Sequence, residues 1–301
     1  MHPRYVDLAA RIVRWAEREP GVRGLIVIGS QAREAPPADE WSDLDLMVFC
    51  EDPGRYLGDT GWLRPFGHPL CAFTERTPLG GRDWEWLVRR VLYADGRDVD
   101  FSLLREDRAS EALAVNAEIL AAGWEVRYDP AGTLPAQVAG AIAAAGAATD
   151  GEAQDGEEPG GEDPLAEDPL AEDLAVMLYH VIWAMKKIRR GEIWVAAGCL
   201  NSFLREPLWR LIAAYNRAGG APQPALSYGG RYLERTTAPE VLAMLRGCAM
   251  PYEAAGGIAA LRALLNLLAA LGPRACVARG LEWDSEAYAG VRAMFEELAA
   301  G

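Results

Sequence analysis

The sequence predicts an α+β fold, in which a domain with a small mixed sheet and flanking helices precedes an all-α helical bundle. Three observations support this. Short β-branched runs bounded by turn residues, as expected for strands, occur only in the first half of the chain. A segment dominated by Asp, Glu, Gly and Pro then interrupts the pattern at 150–173. Beyond it, apolar residues recur at helical spacing, which is typical of a bundle.

The 301 residues suffice for two domains, each with its own core. We predict a first domain over 1–148, a flexible acidic linker or insertion over 149–172, and a bundle over 173–301. The segment 150–173 holds 11 acidic residues and no Lys or Arg, so removing it from the net charge of −14 leaves −3. A like-charge block of this kind is typical of a solvated linker. The alternative is that it attracts a cationic ligand.

Helices and strands are both predicted in the first domain. Apolar spacing predicts a helix over 6–19, ended by Pro20-Gly21. The stretch 84–93 is predicted as a helix or as a passage from helix to strand. Helices are predicted over 105–122 and 134–148, and a short one from Ser30. Strands are predicted over 24–28, 43–49, 70–73, 98–104 and 124–128.

About five helices are predicted in the second domain. The first has a basic end, which the helix dipole favours. Pro207 is expected to bend the second. The predicted ranges are 173–190, 192–218, 239–250, 258–279 and 284–300.

The first candidate site lies where the strand 24–28 ends at Gly29-Ser30. Backbone N–H groups at such a turn attract anions, so this pair is suited to a phosphate. Asp43 and Asp45 open the next predicted strand, and residues i and i+2 of a strand share a face. Two adjacent carboxylates repel each other unless a cation holds them, and Mg²⁺ takes oxygen ligands of this kind together with substrate phosphates.

Asp100 is the third acidic candidate, second in the alternating run DVDFSLL, and Asp98 shares its face. If that strand lies beside the one with Asp43 and Asp45, three carboxylates converge. They would hold two metal ions, with the third carboxylate completing the metal shell or accepting a proton from an attacking hydroxyl. A single strand-end aspartate is more typical of a turn cap. The combination with Gly29-Ser30 favours nucleotide chemistry.

These motifs resemble the nucleotidyltransferase superfamily of polymerase-β type. The stretches IVIGSQA, SDLDLMVF and DVDFSLL, with IRRGEIWVAAGCLNSFLREPLWRLI and GGRYLERTTAPEVLAML in the second domain, are more closely similar to the aminoglycoside 6-adenylyltransferases, the streptomycin adenylyltransferases. The resemblance implies transfer of AMP from ATP to a hydroxyl of a streptomycin-like aminoglycoside, with release of pyrophosphate. It also implies a requirement for Mg²⁺, as two ions, and an antibiotic-inactivating role.

The resemblance implies roles for individual residues. Gly29 and Ser30 would hold the leaving phosphates, Asp43 and Asp45 would bind Mg²⁺, and Asp100 would activate the acceptor hydroxyl directly or through a metal. Gln31 departs from the arginine that such families often carry, a loss for which Arg33 would compensate. Lys186 would reach the triphosphate, although a basic helix end explains it equally well. Two acceptor contacts are proposed, Glu192 and Asp98.

The charge and cysteine content of the chain indicate which classes of ligand and which cellular compartment to expect. A mildly acidic body suits a cationic small molecule, whereas a nucleic acid would favour a basic face. The five scattered cysteines form no C-x-x-C pair, which argues against a disulfide framework or a zinc site. No continuous apolar run predicts a membrane span and no signal peptide is expected, so a cytoplasmic enzyme is predicted.

Three alternatives stay open. The acceptor of the same chemistry could be a lincosamide or another small molecule. It could instead be a protein, as in toxin–antitoxin members of the superfamily. Third, the chain could be a non-catalytic binding module. The oligomeric state is not predicted.

Overall fold

Six strands lie in the first part of the chain, and all of them join one sheet. The structure is a computed structural model that describes residues 1–58, 60–79, 82–147, 169–220, 230 and 232–301. The described strands are β1 (Val22–Ile28), β2 (Leu44–Cys50), β3 (Pro69–Pro78), β4 (Glu85–Tyr93), β5 (Asp98–Arg105) and β6 (Glu125–Tyr128).

The sheet is mixed, with strand order β3-β4-β5-β2-β1-β6. β2 and β5 are parallel, and the other neighbouring pairs are antiparallel. A parallel pair needs a long connection, which β3 and β4 supply by extending the sheet beyond β5. The α+β class predicted from sequence is confirmed.

β4 corrects one prediction. The stretch 84–93 was predicted as a helix or as a passage from helix to strand. In the structure it forms the strand β4, from Glu85 to Tyr93. Its Val88, Val91 and Tyr93 favour a pleated surface, and β4 has a strand on each side. Pairing on both sides therefore decides an assignment that local apolar spacing leaves ambiguous.

Helices cover both faces of the sheet. Tyr5, Leu8 and Ile12 of α1 pack on one face, whereas Leu113, Leu120 and Val138 of the later helices pack on the other. The helix predicted over 105–122 is interrupted at Asn116, and only a single 3-10 turn, Gly29–Gln31, follows β1. The helices of this unit are α1 (Pro3–Ala16), α2 (Ala109–Val115), α3 (Ala117–Ala122) and α4 (Leu134–Ala147).

The chain divides into two units, Met1–Glu162 and Asp163–Gly301. Of the predicted linker 149–172, residues 149–168 lie outside the described part of the chain. The described helices of the second unit are α5 (Leu170–Arg189), α6 (Ile193–Gly198), α7 (Arg205–Ala218), α8 (Leu233–Thr236), α9 (Pro239–Arg246), α10 (Ala254–Ala278) and α11 (Ser285–Ala300).

The helix predicted over 192–218 is instead two helices, separated by a π-helical turn at Cys199–Phe203. Pro207 lies in the first turn of α7, where its missing N–H costs little, so it begins a helix and does not bend one.

α10 is the central helix of the second unit, with its buried leucines between α5, α7 and α9. By length and composition α10 is also the one described helix that could cross a membrane. Its packing inside the unit explains the same apolar character. Trp194 at the start of α6, in contrast, is 77% exposed.

Candidate active site

The candidate site begins at the turn that ends β1. Gly29 has a φ of +66°, in the region that favours glycine, and a Cβ there would overlap the Asp45 carboxylate. Glycine is therefore required at this position for two reasons: the backbone conformation and the close approach of the Asp45 side chain. The turn is consequently fixed directly against β2.

One cross-strand row of the sheet carries the charged residues. Asp100 of β5 lies directly opposite Asp45 of the parallel strand β2, and Arg90 of β4 lies opposite Asp100 on its other side. Ile28, immediately before Gly29, completes the row opposite Asp45. The two strands that carry the aspartates are thus neighbours in the sheet, as predicted, and their register places Asp45 opposite Asp100.

Three carboxylates converge at this point. Asp43, which immediately precedes β2, joins Asp45 and Asp100, and one oxygen of each lies within 4.8 Å of the others. Burial raises the pKa of Asp45 well above its usual range. The charges of Asp43 and then Asp100 raise that pKa further, and Arg90 opposes them. So much negative charge at one place is unfavourable without a cation, and an all-oxygen donor set suits Mg²⁺.

Ser30 supplies independent support for a ligand at the turn. Its Oγ is buried and has no hydrogen-bond partner within the described residues. A buried hydroxyl without a partner is unfavourable, so its presence here favours a polar ligand. A phosphate oxygen next to Gly29 would accept its hydrogen bond, which fits the nucleotide-binding role predicted for this residue.

Gln31 has a positioning role that the sequence did not indicate. Its side chain is 1% exposed, and its Nε2 donates to the Asp43 carbonyl at 3.0 Å. The amide N–H of His2 donates to the Gln31 Oε1 at 2.9 Å. This residue, at which an arginine was expected, therefore links the start of α1 to the backbone of a candidate metal ligand.

Two other predicted residues of the first unit have hydrogen bonds outside the group of three carboxylates. Arg33 donates from Nε to the Pro36 carbonyl at 2.7 Å, so part of its guanidinium already holds the following loop. Asp98 is 2% exposed, and the Tyr5 hydroxyl donates to its Oδ1 at 3.2 Å. Burial, followed by the charge of Asp98, raises the pKa of Tyr5, which keeps that hydroxyl protonated.

The two predicted residues of the second unit are both near the end of α5. Lys186 is 4% exposed, which is unusual for a residue expected only to favour the helix dipole. Glu192 precedes α6, and its carboxylate lies 3.2 Å from the Lys187 Nζ. Their contacts with nucleotide and acceptor stay predictions.

Arg90 is the charged residue at the site that sequence reasoning missed. Its Nη1 lies 3.2 Å from the Asp100 Oδ2, and its Nε donates to the Glu75 Oε2 at 2.8 Å. The available signal was the alternation of Trp86, Val88 and Arg90, which places them on one face only if 84–93 is a strand. The ambiguous assignment of that stretch hid the residue.

Comparison with known proteins supports the interpretation of this unit. The family model described as Streptomycin adenylyltransferase matches residues 4–121, which include the three aspartates and the Gly29-Ser30 turn. A search of curated proteins gives no match. The crystal structure of an aminoglycoside 6-adenyltransferase from Bacillus subtilis is 13% identical, with 98% of each chain covered and a TM-score of 0.39, too low to support an inference.

The family match ends before the second unit, so the resemblance predicted for that unit stays a prediction. Over the first unit, the fold, the three carboxylates and the matched residues agree. The chain is a nucleotidyltransferase enzyme, and its residues 4–121 match the streptomycin adenylyltransferase family model, in agreement with the resemblance seen in the sequence.

Proposed function

We propose that the enzyme transfers AMP from ATP to a hydroxyl group of a streptomycin-like aminoglycoside and releases pyrophosphate, which inactivates the antibiotic. The observation that carries this proposal is the convergence of Asp43, Asp45 and Asp100 within 4.8 Å. They lie beside a glycine turn with an unpartnered buried hydroxyl, inside the segment that matches the family.

The turn at Gly29-Ser30 is the proposed place for the leaving phosphates of ATP. The Ser30 hydroxyl would donate to a phosphate oxygen and so gain the partner that it lacks within the described residues. Backbone N–H groups of the turn add further donors for an anion. Arg33 is close in sequence, and its remaining N–H groups would bind the same phosphates.

Asp43 and Asp45, with Asp100, are the proposed ligands of one or two Mg²⁺ ions. When bound, Mg²⁺ neutralises charge on the triphosphate and on the α-phosphate as its bond to the leaving oxygen breaks. Gly29 keeps the turn against Asp45, and Gln31 holds the backbone of Asp43. Asp100 also lies where a carboxylate can accept the proton of the attacking hydroxyl.

A cationic acceptor fits the charge of the protein. Without the acidic segment 150–173 the chain is only mildly negative, and carboxylates pair bidentately with the guanidinium groups of streptomycin-like drugs. Glu192 and Asp98 are the proposed acceptor contacts, and Lys186 is a further proposed ligand of the triphosphate. A cytoplasmic location, where ATP is available, is part of the proposal.

Pyrophosphate release tests the function. The wild-type protein and Asp45→Asn are incubated with ATP, Mg²⁺ and a panel of aminoglycosides and lincosamides, and product masses are measured. We expect wild-type turnover with a streptomycin-like drug, addition of one AMP to that drug, and no turnover by Asp45→Asn. Turnover with lincosamides alone would show that the acceptor is a lincosamide and not an aminoglycoside. Labelling of protein by radioactive ATP without any drug would show that the acceptor is a protein.

A further inference from the structure

Arg90 connects the candidate metal centre to an acidic residue on the far strand. Its guanidinium lies between two carboxylates: the Asp100 Oδ2 is 3.2 Å from Nη1, and the Glu75 Oε2 is 2.8 Å from Nε. Arg90 is on β4, Asp100 on β5 and Glu75 on β3, so the contacts span three strands. The arrangement is therefore a chain of charges across the sheet.

The register makes this contact a product of the fold. Arg90 is paired with Asp100, and Asp100 is paired with Asp45, so their side chains project from one face. The Arg90 side chain is 23% exposed and that of Asp100 is 9% exposed. A partly buried guanidinium with fixed N–H directions restricts the orientation of its carboxylate partner more than a mobile surface lysine would.

We propose that Arg90 is a positioning residue of the metal centre. Glu75 anchors its guanidinium, and the guanidinium orients the Asp100 carboxylate toward Asp43 and Asp45. The inference rests on the proposed function for the identity of the reaction. It concerns an earlier step, metal binding by the protein alone, which is measured without any acceptor.

Charge and geometry predict opposite effects of Arg90 on metal affinity. A positive charge 3.2 Å from a metal ligand repels a second cation, so removal of the charge alone should tighten metal binding. Groups that orient metal ligands act in the other direction, and their loss typically weakens binding about 10- to 100-fold. Weaker metal binding after removal of Arg90 would therefore indicate that it orients Asp100, and tighter binding would indicate that it only neutralises the Asp100 charge.

The experiment measures Mn²⁺ binding to nucleotide-free protein by electron paramagnetic resonance, with steady-state kinetics in parallel. We expect Arg90→Gln to weaken Mn²⁺ binding about 10-fold and to lower kcat by a similar factor, with the KM for ATP changed less. Arg90→Lys keeps the charge but cannot reach both carboxylates with a planar fork, so it should fail to restore either value.

Two further variants distinguish a loss of Mn²⁺ binding caused by misfolding from one caused by loss of the Arg90 contacts. Glu75→Gln removes the anchor at a half-exposed position, and we expect a smaller loss in the same direction and no added loss in the double variant with Arg90→Gln. Glu85→Gln is the matched control, because Glu85 pairs with Arg76 at 3.4 Å across the same two strands. Unchanged Mn²⁺ binding is expected there.

The outcomes are distinct. Tighter Mn²⁺ binding by Arg90→Gln, full rescue by Arg90→Lys, or no measurable Mn²⁺ binding by the wild-type protein would each overturn the positioning role. Failure of the proposed function looks different: wild-type Mn²⁺ binding and its dependence on Arg90 persist, while no aminoglycoside is modified.

Discussion

Two regions of this enzyme bury aspartate side chains, and they do so in opposite ways. In the first unit, Asp45 and Asp100 lie together with Asp43, and Arg90 lies beside Asp100. In the second unit, Asp173 is 4% exposed and receives two charged hydrogen bonds from Arg210, at 2.6 and 2.7 Å. The first region gathers more negative than positive charge. In the second, one guanidinium holds the buried Asp173 with two hydrogen bonds and also contacts the exposed Glu206 at 3.4 Å.

The difference separates a site from a structural contact. A buried carboxylate that serves the fold lies next to its own cation, since an unmatched charge costs several kcal/mol of stability. Carboxylates that serve a ligand need not be matched, because the ligand supplies the missing charge. Mutations in the two regions should therefore change stability with opposite signs, and that contrast can be tested directly.

The largest expected effect is that of Asp45→Asn. We expect turnover to fall by more than about 100-fold, because a candidate metal ligand is lost. The metal-free protein should nevertheless gain about 1 kcal/mol in its free energy of unfolding, or about 3 °C in Tm, since repulsion with Asp43 and Asp100 is relieved. Circular dichroism melts in EDTA measure this gain, and a lower Tm would contradict the comparison.

The gain should depend on pH with a definite sign. Because the folded-state pKa of Asp45 is raised, its destabilising effect is fully present above that pKa. The effect decreases as the pH falls below the raised pKa and is absent below the unperturbed value of 3.8, where the carboxyl is protonated in both states. The Tm difference between Asp45→Asn and wild type should therefore shrink on acidification, and added Mg²⁺ should raise only the wild-type Tm.

Gly29→Ala should have the next largest effect. An added Cβ would strain a positive φ, at a cost of about 1–2 kcal/mol, and would also displace the Asp45 carboxylate. We expect a turnover loss of about 100-fold. Gly132→Ala is the matched control, with a φ of +69° and open space at its Cβ, so it should lose stability but keep turnover. Equal losses of turnover in both variants would show that Gly29 is needed only for its backbone conformation and not for its contact with Asp45.

Asp173→Asn tests the other half of the comparison. Loss of the charge that pairs with Arg210 should destabilise the second unit by about 2 kcal/mol, less than a fully buried pair would cost because the arginine is 37% exposed. Mn²⁺ binding by the first unit should be unchanged. A stability gain, like that expected for Asp45→Asn, would show that the two regions do not differ in the way proposed.

Among the variants that change turnover, Gln31→Met should have the smallest effect. The change keeps the length of the side chain but removes the hydrogen bonds to Asp43 and His2, at a cost of about 1–3 kcal/mol in unfolding free energy. We expect turnover to fall about 3- to 10-fold through a shifted Asp43. Thermal melts and kcat measure the two effects, and a stability loss without any change in kcat would assign Gln31 to the fold alone.

Residue pattern alone predicted the elements that carry the chemistry. The run that ends at Gly29-Ser30, the D-x-D of Asp43 and Asp45, and the alternating strand with Asp100 were each visible, because short strands between turn residues have a strong local signal. The same reasoning was ambiguous for 84–93, where apolar spacing fits both a helix and a strand. Arg90 was missed as a direct result.

What the sequence determined by itself is therefore the residue types of the site and the positions along the chain of the strands that bear them. Only the tertiary structure decided that Asp100 lies opposite Asp45, that Arg90 lies beside Asp100, and that Gln31 holds the Asp43 backbone. The physical reason is that strand register and order depend on pairing between segments that are distant in the chain. No local pattern around a single residue records which partner will lie opposite it.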